Sequence, residues 1–504
     1  MSGKTFDLMQ ENSLSDYPSY KQDLGDTRFK RSVSRILAGE VLFVIILNFW
    51  IFDIILPLIG VILMMLGFRA LKNESRAFKI CFFISAAQTA LLIFNAVVNA
   101  SVLRADFESS SAFTVLKVIS TVLKFIILCC QTAGIYDLQE KAGIEKHAGG
   151  AAAFVIWYVL LVFFAVYPVI NFVFLIVFII LLGFVIRSMY KLYRELADKD
   201  FNLTVTQSRI SDAVVVSFAA AAVVVGVACC YLFLNGYKAD WQTWQPPSNG
   251  GDAELEKIST HLAGLGFPEN VLGDLQAQDL RDCAGALRVV VKQDDYPGNK
   301  GRKVTEKTET GYRETVIYDT ENLHITSVAV ELSRDNRQWR IFHHFSWTSN
   351  LGFCGTDAVI VCPAYSFTDS WMTPYNDRTM ESYDISGHML YDKVDTSYAA
   401  PYHFLGDTAS VFGRGNITAE FSMPESGENH RGYISYTAMQ STIGSSFADS
   451  IEYVHQTSRF CYPVVTAAHS RQNTKVFFTP DVFYKTSGTF QFWPYDDAIT
   501  NRAA

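Results

Sequence analysis

Residues 112–135 read AFTVLKVISTVLKFIILCCQTAGI, an apolar stretch that is long enough to cross a lipid bilayer once as a helix. The hydrocarbon core of a bilayer is about 30 Å thick, and a helix needs about 20 predominantly apolar residues to span it. Residues 77–103 and 213–234 have a similar length and character, and no proline interrupts any of the three stretches. Each stretch is therefore predicted to form one membrane span.

Two further apolar stretches, residues 36–71 and 151–190, are about twice as long as one span requires. We interpret both as tight helical hairpins, because polar or helix-breaking residues interrupt each one near its middle. These residues are Asn48, Asp53 and Pro57 in the first stretch, and Pro168 and Asn171 in the second. The predicted transmembrane bundle then occupies residues 36–235 and has about seven spans.

Basic residues in the short loops predict the orientation of the bundle, because Lys and Arg concentrate on the cytoplasmic side. With seven spans, the tail 1–35 and the loops on its side carry 17 Lys and Arg residues, whereas the opposite short loops carry Arg104 alone. Single bent helices in place of the hairpins would give five spans and a weaker asymmetry. Both interpretations give an odd number of spans, which places the two ends of the bundle on opposite sides of the membrane. We therefore expect a disordered cytoplasmic tail over residues 1–35 and an extracytoplasmic location for everything after Asn235.

Composition agrees with a membrane protein and excludes several other classes. The 504 residues are 50% hydrophobic and 18% charged, which is too apolar for a disordered or collagen-like chain. Residues 1–235 contain 20 Lys and Arg against 17 Asp and Glu, and residues 236–504 contain 22 against 33, so the two parts carry +3 and −11. Neither part offers the basic surface that nucleic-acid binding requires. The lipid bilayer is thus an expected partner, and nucleic acid is not.

After the bundle, the pattern changes from helices to strands. Residues 236–251 are rich in proline and glycine and are predicted to form a linker. Apolar residues at helical spacing predict a small helical segment over residues 252–286, and short alternating runs predict an antiparallel β-domain, a sandwich or jelly roll, over residues 287–504. The predicted fold is a multi-domain membrane protein: an all-α multi-pass transmembrane bundle followed by an extracytoplasmic, mainly-β domain.

Polar side chains recur along one face of two neighbouring predicted spans. Gln88, Asn95 and Asn99 share a face of one span, and Lys117 and Lys124 share a face of the next. The two spans run in opposite directions, which places Gln88 and Lys124 together near mid-bilayer. A lysine at that depth costs about 2.5–3.5 kcal/mol and often marks a substrate or ion path. The alternative is that the amides hold the helices together and that Lys117 extends to the outer surface.

No carboxylate is predicted at the depth of Lys124. Counted along the predicted spans, Glu40 lies close to the inner surface and Asp53 close to the outer surface. The expected partner of Lys124 is therefore Gln88, a backbone carbonyl, water, an anionic lipid or a ligand.

No catalytic or metal-binding motif of fixed spacing occurs in the chain, and we expect no metal and no cofactor. His343 and His344 are adjacent on a predicted strand, so they face opposite sides and cannot bind one metal together; His343 is interpreted as a core residue. Tyr391, Tyr402 and Trp371 lie among aspartates in the later loops and are candidates for stacking on a ligand such as a sugar. Packing of these aromatic residues within long loops is the alternative.

Four of the nine cysteines follow the last predicted span, namely Cys283, Cys354, Cys362 and Cys461. An even number in an oxidising compartment makes disulfide bonds between them candidates. A strand between Cys354 and Cys362 would carry these two too far apart for a bridge, which favours Cys461 as the partner of one of them. Free buried thiols are the alternative, because a domain of this size does not need crosslinks.

Three hypotheses about function follow from these features. The leading one is a non-enzymatic integral protein of the plasma membrane whose extracytoplasmic β-domain binds or senses a ligand or a protein partner. The second is a transporter or lipid-handling protein that uses the polar seam of Gln88 and Lys124. The third is an extracytoplasmic hydrolase that pairs a carboxylate with His388 or His403.

Overall fold

The structure, a computed structural model, has a helical N-terminal half and a β-rich C-terminal half. The chain divides into two compact units, Met1–Leu232 and Phe233–Ala504, and each unit has a hydrophobic core of its own. The turns of the two predicted hairpins, at Asn48, Pro168 and Asn171, lie outside the described residues. The structure describes residues 17–44, 52–166, 172–197, 210–297, 302–308, 311–317, 321–349, 354–363, 370–373, 385–409, 415–459, 461–471 and 482–494.

Helices account for the described part of the N-terminal half. Side-chain caps define two of their starts: Ser75 Oγ accepts the backbone N–H of Ala77 at 3.0 Å, and Ser110 Oγ accepts that of Phe113 at 3.2 Å. The helices are α1 (Tyr17–Val44), α2 (Phe52–Leu71), α3 (Arg76–Val98), α4 (Arg104–Ser109), α5 (Ser111–Lys141), α6 (Gly149–Val166), α7 (Phe172–Ala197) and α8 (Asp212–Phe233).

Among the described residues, five helices are long and apolar enough to cross a membrane, namely α2, α3, α5, α8 and the part Ile176–Ala197 of α7. The shorter helix α6 is also apolar. Large apolar side chains are exposed on these helices, for example Phe83 at 60% and Phe218 at 76%. Soluble monomers rarely expose extensive apolar surface of this kind, whereas lipid covers it well. The prediction of a helical N-terminal half with membrane-capable helices is confirmed.

Helix α1 begins earlier than the sequence analysis expects. Residues 1–35 are predicted to form a disordered tail, whereas the structure shows a helix from Tyr17 onward. Phe29 and Val33 are buried in the core of the helical half, so one face of this helix packs against its neighbours. The segment is polar overall, so its composition did not indicate a helix. Packing of a single apolar face against neighbouring helices is enough to stabilise it.

Glycine allows α1 and α2 to pack at very short range. A Cβ atom on Gly39 would lie 2.4 Å from the carbonyl oxygen of Gly60, and one on Gly60 would lie 2.7 Å from that of Gly39. Gly67, later in α2, approaches Ser32, earlier in α1, so the two helices are antiparallel. The stretch 36–71 therefore contains parts of two tightly packed antiparallel helices.

Three short helices and a set of strands form the described part of the C-terminal half. The helices are α9 (Ala253–Gly264), α10 (Glu269–Leu272) and α11 (Ala277–Asp282). The strands are β1 (Gln242–Trp244), β2 (Arg288–Pro297), β3 (Arg302–Thr308), β4 (Gly311–Ile317), β5 (Glu321–Ser333), β6 (Gln338–Trp347), β7 (Asp357–Cys362), β8 (Trp371–Met372), β9 (Ser386–Lys393), β10 (Thr396–Pro401), β11 (His403–Ala409), β12 (Gly415–Phe421), β13 (Glu428–Gln440), β14 (Phe447–Gln456) and β15 (Phe483–Phe492).

The described strands pair antiparallel in three sheets. The largest has the order β1-β10-β9-β13-β6-β5-β2, and β8 pairs with β13 beside this path. The second has the order β11-β12-β7-β14-β15, and β3 with β4 forms a separate two-stranded ribbon. The prediction of a β-rich C-terminal region is confirmed.

Both larger sheets contribute to one hydrophobic core. Trp339 in β6 contacts Phe492 in β15 with ring centres 4.8 Å apart, and Phe345 in β6 stacks on Phe421 in β12 at 5.7 Å. On the opposite face of the large sheet, Phe342 packs with Phe267 and other apolar residues of the segment around α9–α11. Successive side chains of β6 point to opposite faces of the sheet and therefore pack into two separate hydrophobic cores.

Strand β1 lies within residues 236–251, where the sequence predicts a linker. It pairs with β10, and Trp244 in β1 donates its indole N–H to the carbonyl of Gly273 at 3.2 Å. Just before β1, the hydroxyl of Tyr237 donates to Glu420 at 2.6 Å. These contacts make the segment an edge strand of the β-rich unit, because pairing partners override its turn-rich composition.

A fragment of residues 236–504 should fold alone with a mainly β far-UV spectrum, because it contains both sheets and their core. A fragment that starts at Asp252 loses β1, Trp244 and Tyr237, and we expect its free energy of unfolding to be lower by about 2 kcal/mol or more. Urea denaturation of the two fragments measures the difference. Equal midpoints would show that β1 adds no stability, and a strongly helical spectrum would contradict the domain division.

Candidate functional site

The predicted polar seam forms only in part. The side-chain amide of Gln88 in α3 donates to the backbone carbonyl of Ser120 in α5 at 3.0 Å, so Gln88 does join the two helices. Asn99 instead donates to the carbonyl of Asn95 in its own chain segment at 2.7 Å. Lys117 is exposed, with its ammonium 4.1 Å from the ring centre of Phe113. These contacts match the helix-joining interpretation of the amides better than a continuous polar path.

Lys124 is fully buried, but it does not contact Gln88. Its ammonium lies 3.5 Å from the sulfur of Met64 in α2 and 4.8 Å from the ring centre of Phe43 in α1. Neither contact replaces the strong hydration that an ammonium loses on burial, although the aromatic ring attracts the cation weakly. Gln88, one of the five partners expected for Lys124, donates instead to the backbone of Ser120.

A buried carboxylate accompanies Lys124 and corrects the expectation that none lies at its depth. Glu40 in α1 is completely buried and lies near enough to Lys124 for their charges to influence each other, although the two do not form an ion pair within 4.0 Å. The depth estimate failed because it counted Glu40 from a helix start at Ile36, whereas α1 starts at Tyr17 and Glu40 follows about six turns later. The sequence feature that could have indicated this partner of Lys124 is a glutamate near the start of a long apolar stretch.

Further polar side chains from other helices surround this pair. Cys81 in α3 lies near both charged groups, and Gln131 in α5 lies beside the Glu40 carboxylate. The amide of Gln131 donates to the hydroxyl of Tyr193 in α7 at 3.1 Å. We call Glu40, Cys81, Lys124, Gln131 and Tyr193 the Glu40–Lys124 cluster.

Hydrogen bonding within the Glu40–Lys124 cluster is incomplete. Neither carboxylate oxygen of Glu40 has a partner with hydrogen-bond geometry among the described residues, and the same holds for the side-chain oxygen of Gln131. A buried carboxylate without donors is costly, and a nearby ammonium offsets only part of that cost. The Glu40–Lys124 cluster is therefore a buried polar site in which acceptor atoms lack a donor among the described residues.

The aromatic residues predicted as a ligand site in the β-rich half are packed inside it. Trp371 is 2% exposed and donates its indole N–H to the carbonyl of Ser446 at 2.9 Å. Tyr391 stacks on Tyr398 at 5.2 Å, and Tyr402 belongs to the core shared by the two sheets. The packing interpretation is the one that the geometry supports, because these side chains present little surface to a ligand.

The adjacent histidines face opposite sides of β6, as the strand alternation predicts. His343 is buried between Ser327, whose hydroxyl oxygen is 2.9 Å from Nδ1, and Asp449, whose carboxylate is 2.7 Å from Nε2. His344 lies 2.9 Å from Asp274 on the other side. Among the described residues, no group of His, Cys, Asp and Glu is arranged to hold a metal ion.

Ser327, His343 and Asp449 have the composition of a hydrolase triad but not its accessibility. His343 and Asp449 are completely buried, and Ser327 is 5% exposed. A nucleophile must reach its substrate, so this arrangement cannot act on a molecule in solution without opening the core. Its geometry fits a structural role, because Ser327 and His343 belong to the large sheet and Asp449 to the second sheet.

His388, a candidate base in the hydrolase hypothesis, is also buried. Its Nδ1 lies 2.8 Å from the amide nitrogen of Gln276, and the edge of Trp244 packs on the ring at 4.6 Å. Burial lowers the pKa of His388 to about 4, although Asp274 and Asp279 nearby act in the opposite direction. His403 is exposed and stacks on Tyr237.

A buried ionic network attaches the helical segment to the large sheet. Arg340 in β6 donates to Asp279 in α11 at 2.9 Å, and it donates to the hydroxyls of Ser386 and Ser435 at 2.8 and 2.9 Å. Nearby, burial alone would raise the pKa of Asp274, but its contacts with His344 and Arg431 hold that pKa below its usual range. The contacts of Arg340 join α11, β6, β9 and β13 through protein groups alone, which is typical of a structural role.

The four candidate cysteines of the β-rich half form no disulfide bond with one another in the described structure. Cys283 is buried in the core beneath α9–α11, and Cys461 is buried in a small separate cluster with Val465 and Val482. Burial raises the pKa of the Cys283 thiol to about 12. Cys283 and Cys461 thus belong to separate hydrophobic clusters, and the pairing of the four cysteines stays a prediction.

Comparisons with known proteins do not identify the chain. No protein-family model matches it, and no curated protein matches it. One similar solved structure is described as "AvmM Catalyzes Macrocyclization in Alchivemycin A Biosynthesis", with 10% identity, a TM-score of 0.16, and coverage of 40% of this chain and 88% of that chain. Another is described as "Complete structure of manganese lipoxygenase of Gaeumannomyces graminis and partial structure of zonadhesin of Komagataella pastoris". It has 7% identity and a TM-score of 0.18, and the match covers 44% of this chain and 77% of that chain. Both TM-scores are below 0.5, so neither similarity carries an argument.

Because Glu40 and Lys124 interact, their substitutions should not be additive. Lys124→Met leaves the Glu40 carboxylate buried without its cation, and we expect a loss of about 3 kcal/mol in stability. Combining Lys124→Met with Glu40→Gln removes both charges and should recover most of that loss. Unfolding of the detergent-solubilised chain by increasing sodium dodecyl sulfate measures the four free energies of the cycle.

Lys117→Met is the matched control for this cycle, because Lys117 lies on the same helix and is exposed. It should change stability by less than about 0.5 kcal/mol. Additive effects of Glu40→Gln and Lys124→Met would show that the two side chains do not stabilise each other.

Burial of neutral His388 should make the β-rich fragment 236–504 sensitive to acid. The pKa of His388 is about 4 in the folded state and 6.5 for an ordinary histidine, so the unfolded state binds the extra proton first as the pH falls. Stability should decrease between pH 6.5 and pH 4, by up to about 3 kcal/mol from this residue. His388→Asn should flatten that part of the stability profile, whereas His403→Asn, at an exposed position, should not. Identical profiles for the parent fragment and His388→Asn would refute this explanation.

Proposed function

We propose that this protein is a multi-pass membrane protein whose bundle holds a β-sandwich outside the cytoplasm, where the sandwich binds or senses a ligand or partner without catalysis. The observation that carries the proposal is the division of the chain into an apolar helical unit and a separate β-rich unit with a filled core. The 17 basic residues on one side of the predicted bundle, against Arg104 alone on the other, support a cytoplasmic N-terminus.

The buried state of the polar side chains supports a binding role over a catalytic one. Ser327, His343 and Asp449 are inaccessible, and the pKa of His388, lowered to about 4, makes it a poor base near neutral pH. A binding domain needs a stable scaffold, and the internal contacts of these residues contribute to one.

One exposed turn is a candidate point of contact for a partner. Val394 and Asp395 connect β9 to β10 with φ angles of 46° and 59°, and Val394 is 88% exposed. A β-branched residue with positive φ is strained, and asparagine or glycine would suit this two-residue turn better. Strain that is retained at an exposed apolar tip supports a role in recognition.

Cysteine accessibility tests the proposed orientation. In intact cells, a membrane-impermeant maleimide should label Asn249→Cys, whereas Ser19→Cys should react only after permeabilisation. The parent chain, which keeps its nine native cysteines, supplies the background to be subtracted. Labelling of Ser19→Cys but not Asn249→Cys in intact cells would reverse the topology and overturn the proposal.

The Glu40–Lys124 cluster favours a second candidate function, which is transport or lipid handling by the helical half. Ionisable residues inside a membrane bundle are costly and commonly take part in proton or substrate movement. The chain reconstituted in vesicles with a trapped pH-sensitive dye would then show proton flux that is lost in the Glu40→Gln/Lys124→Met variant. Flux no greater than that of empty vesicles would exclude proton transport by the chain.

A further inference from the structure

The Glu40–Lys124 cluster offers hydrogen-bond donors as well as acceptors. Three buried acceptor atoms have no donor among the described residues, namely both carboxylate oxygens of Glu40 and the side-chain oxygen of Gln131. The ammonium of Lys124 has three N–H groups, and the sulfur of Met64, 3.5 Å away, is only a weak acceptor. The hydroxyl of Tyr193, near Glu40, accepts from Gln131 and keeps its own proton to donate. The cluster can therefore bond a molecule that both donates and accepts.

The separation of the two charged groups has the geometry of an indirect ion pair. Glu40 and Lys124 are near enough for their charges to influence each other, but no carboxylate oxygen of Glu40 is within 4.0 Å of the ammonium. One water molecule between a carboxylate and an ammonium holds them about 4.6 Å apart, because two hydrogen bonds of about 2.8 Å meet near the tetrahedral angle. Such a water also replaces part of the hydration that both charges lose on burial.

The charges of the cluster select the chemical class of the occupant. Lys124 repels a cation, and Glu40 repels an anion, so a neutral molecule is favoured. The molecule must also be small, because Glu40, Lys124, Met64 and Cys81 are all completely buried. Water meets these requirements, since internal water molecules typically make about three hydrogen bonds to buried polar groups.

We propose that the Glu40–Lys124 cluster binds an internal water molecule that joins the ammonium of Lys124 to the carboxylate of Glu40. Gln131 offers this water a further acceptor, and Tyr193 offers it a further donor. The proposal goes beyond the proposed function, because the water stabilises the buried pair whether or not the bundle transports anything.

A groove between α1 and α7 reaches the cluster at Tyr193. This α1–α7 groove has a volume of 1210 Å³, and eight of its lining residues come from α1 and seven from α7. Tyr193 is one of them, although it is only 1% exposed, and its hydroxyl contacts Gln131 on the side of the cluster. Tyr193 therefore separates the bound water from the groove.

Hydroxyl-radical labelling of the full chain in lipid nanodiscs tests the proposal. A brief X-ray pulse makes radicals from water in place, so a buried side chain is oxidised where a water molecule lies beside it. Met64 is completely buried, and a water bound to Lys124 lies within about 6 Å of its sulfur. Met189 is the matched control, because it is equally buried in the same hydrophobic core and has no ammonium beside its sulfur among the described residues.

We expect Met64 to be oxidised at least about fivefold faster than Met189 in the parent chain. The variant Glu40→Leu/Lys124→Leu removes the two groups that hold the water, and its Met64 should be oxidised no faster than its Met189. Replacing a buried ion pair by apolar side chains of similar size often preserves the fold. An unchanged rate for Met189 in the variant shows that the core is intact.

Equal oxidation of Met64 and Met189 in the parent chain would overturn the proposal, and this comparison does not depend on the variant. A Met64 rate that stays high in a variant with an intact core would overturn it as well. Repeating the labelling with choline chloride in place of sodium chloride tests a bound cation. Water gives the same Met64 rate in both salts, whereas a rate that changes with sodium would assign the site to a cation and refute the proposal.

Discussion

The attraction between the buried carboxylate of Glu40 and the buried ammonium of Lys124 constrains how the helical half packs. Each charge would be very costly in an apolar bundle by itself, and lipid offers neither of them a partner. Helices α1 and α5 must therefore approach each other at this level, and α2, α3 and α7 contribute Met64, Cys81 and Tyr193 around the pair. The glycine contacts of α1 with α2 are compatible with this arrangement, because close backbone approach brings Glu40 into the interior.

The β-rich half uses buried polar groups differently. Its carboxylates and histidines are mostly paired, as in the contacts of Asp449 with His343 and of Asp279 with Arg340. Such contacts fix which faces of the sheets meet and how the helical segment sits on the large sheet, since a shifted register would leave charges without partners. The helical cluster differs in that both carboxylate oxygens of Glu40 lack a hydrogen-bond partner among the described residues.

Residue type and spacing predicted the environment of some candidate residues and not of others. Spacing along the helix singled out Lys124, which is buried, and Gln88, which joins two helices. It did not pair Glu40 with Lys124, because the depth of Glu40 was counted from a helix start at Ile36 and not from Tyr17. Residue type suggested a surface site for Trp371, Tyr391 and Tyr402, yet tryptophan and tyrosine equally fill cores when another sheet covers them. The α1–α7 groove was not anticipated at all, since its lining residues lie about 150 positions apart in the chain.

The sequence alone determined the features that depend on local composition and period. Apolar stretches of membrane length predicted the helical half, and alternating runs predicted the β-rich half and the opposite directions of His343 and His344. Only the tertiary structure decided which distant side chains meet: Glu40 with Lys124, Asp449 with His343, and α1 with α7 along a groove. The physical reason is that burial and hydrogen bonding depend on the neighbours of a residue in space, which a one-dimensional pattern does not specify.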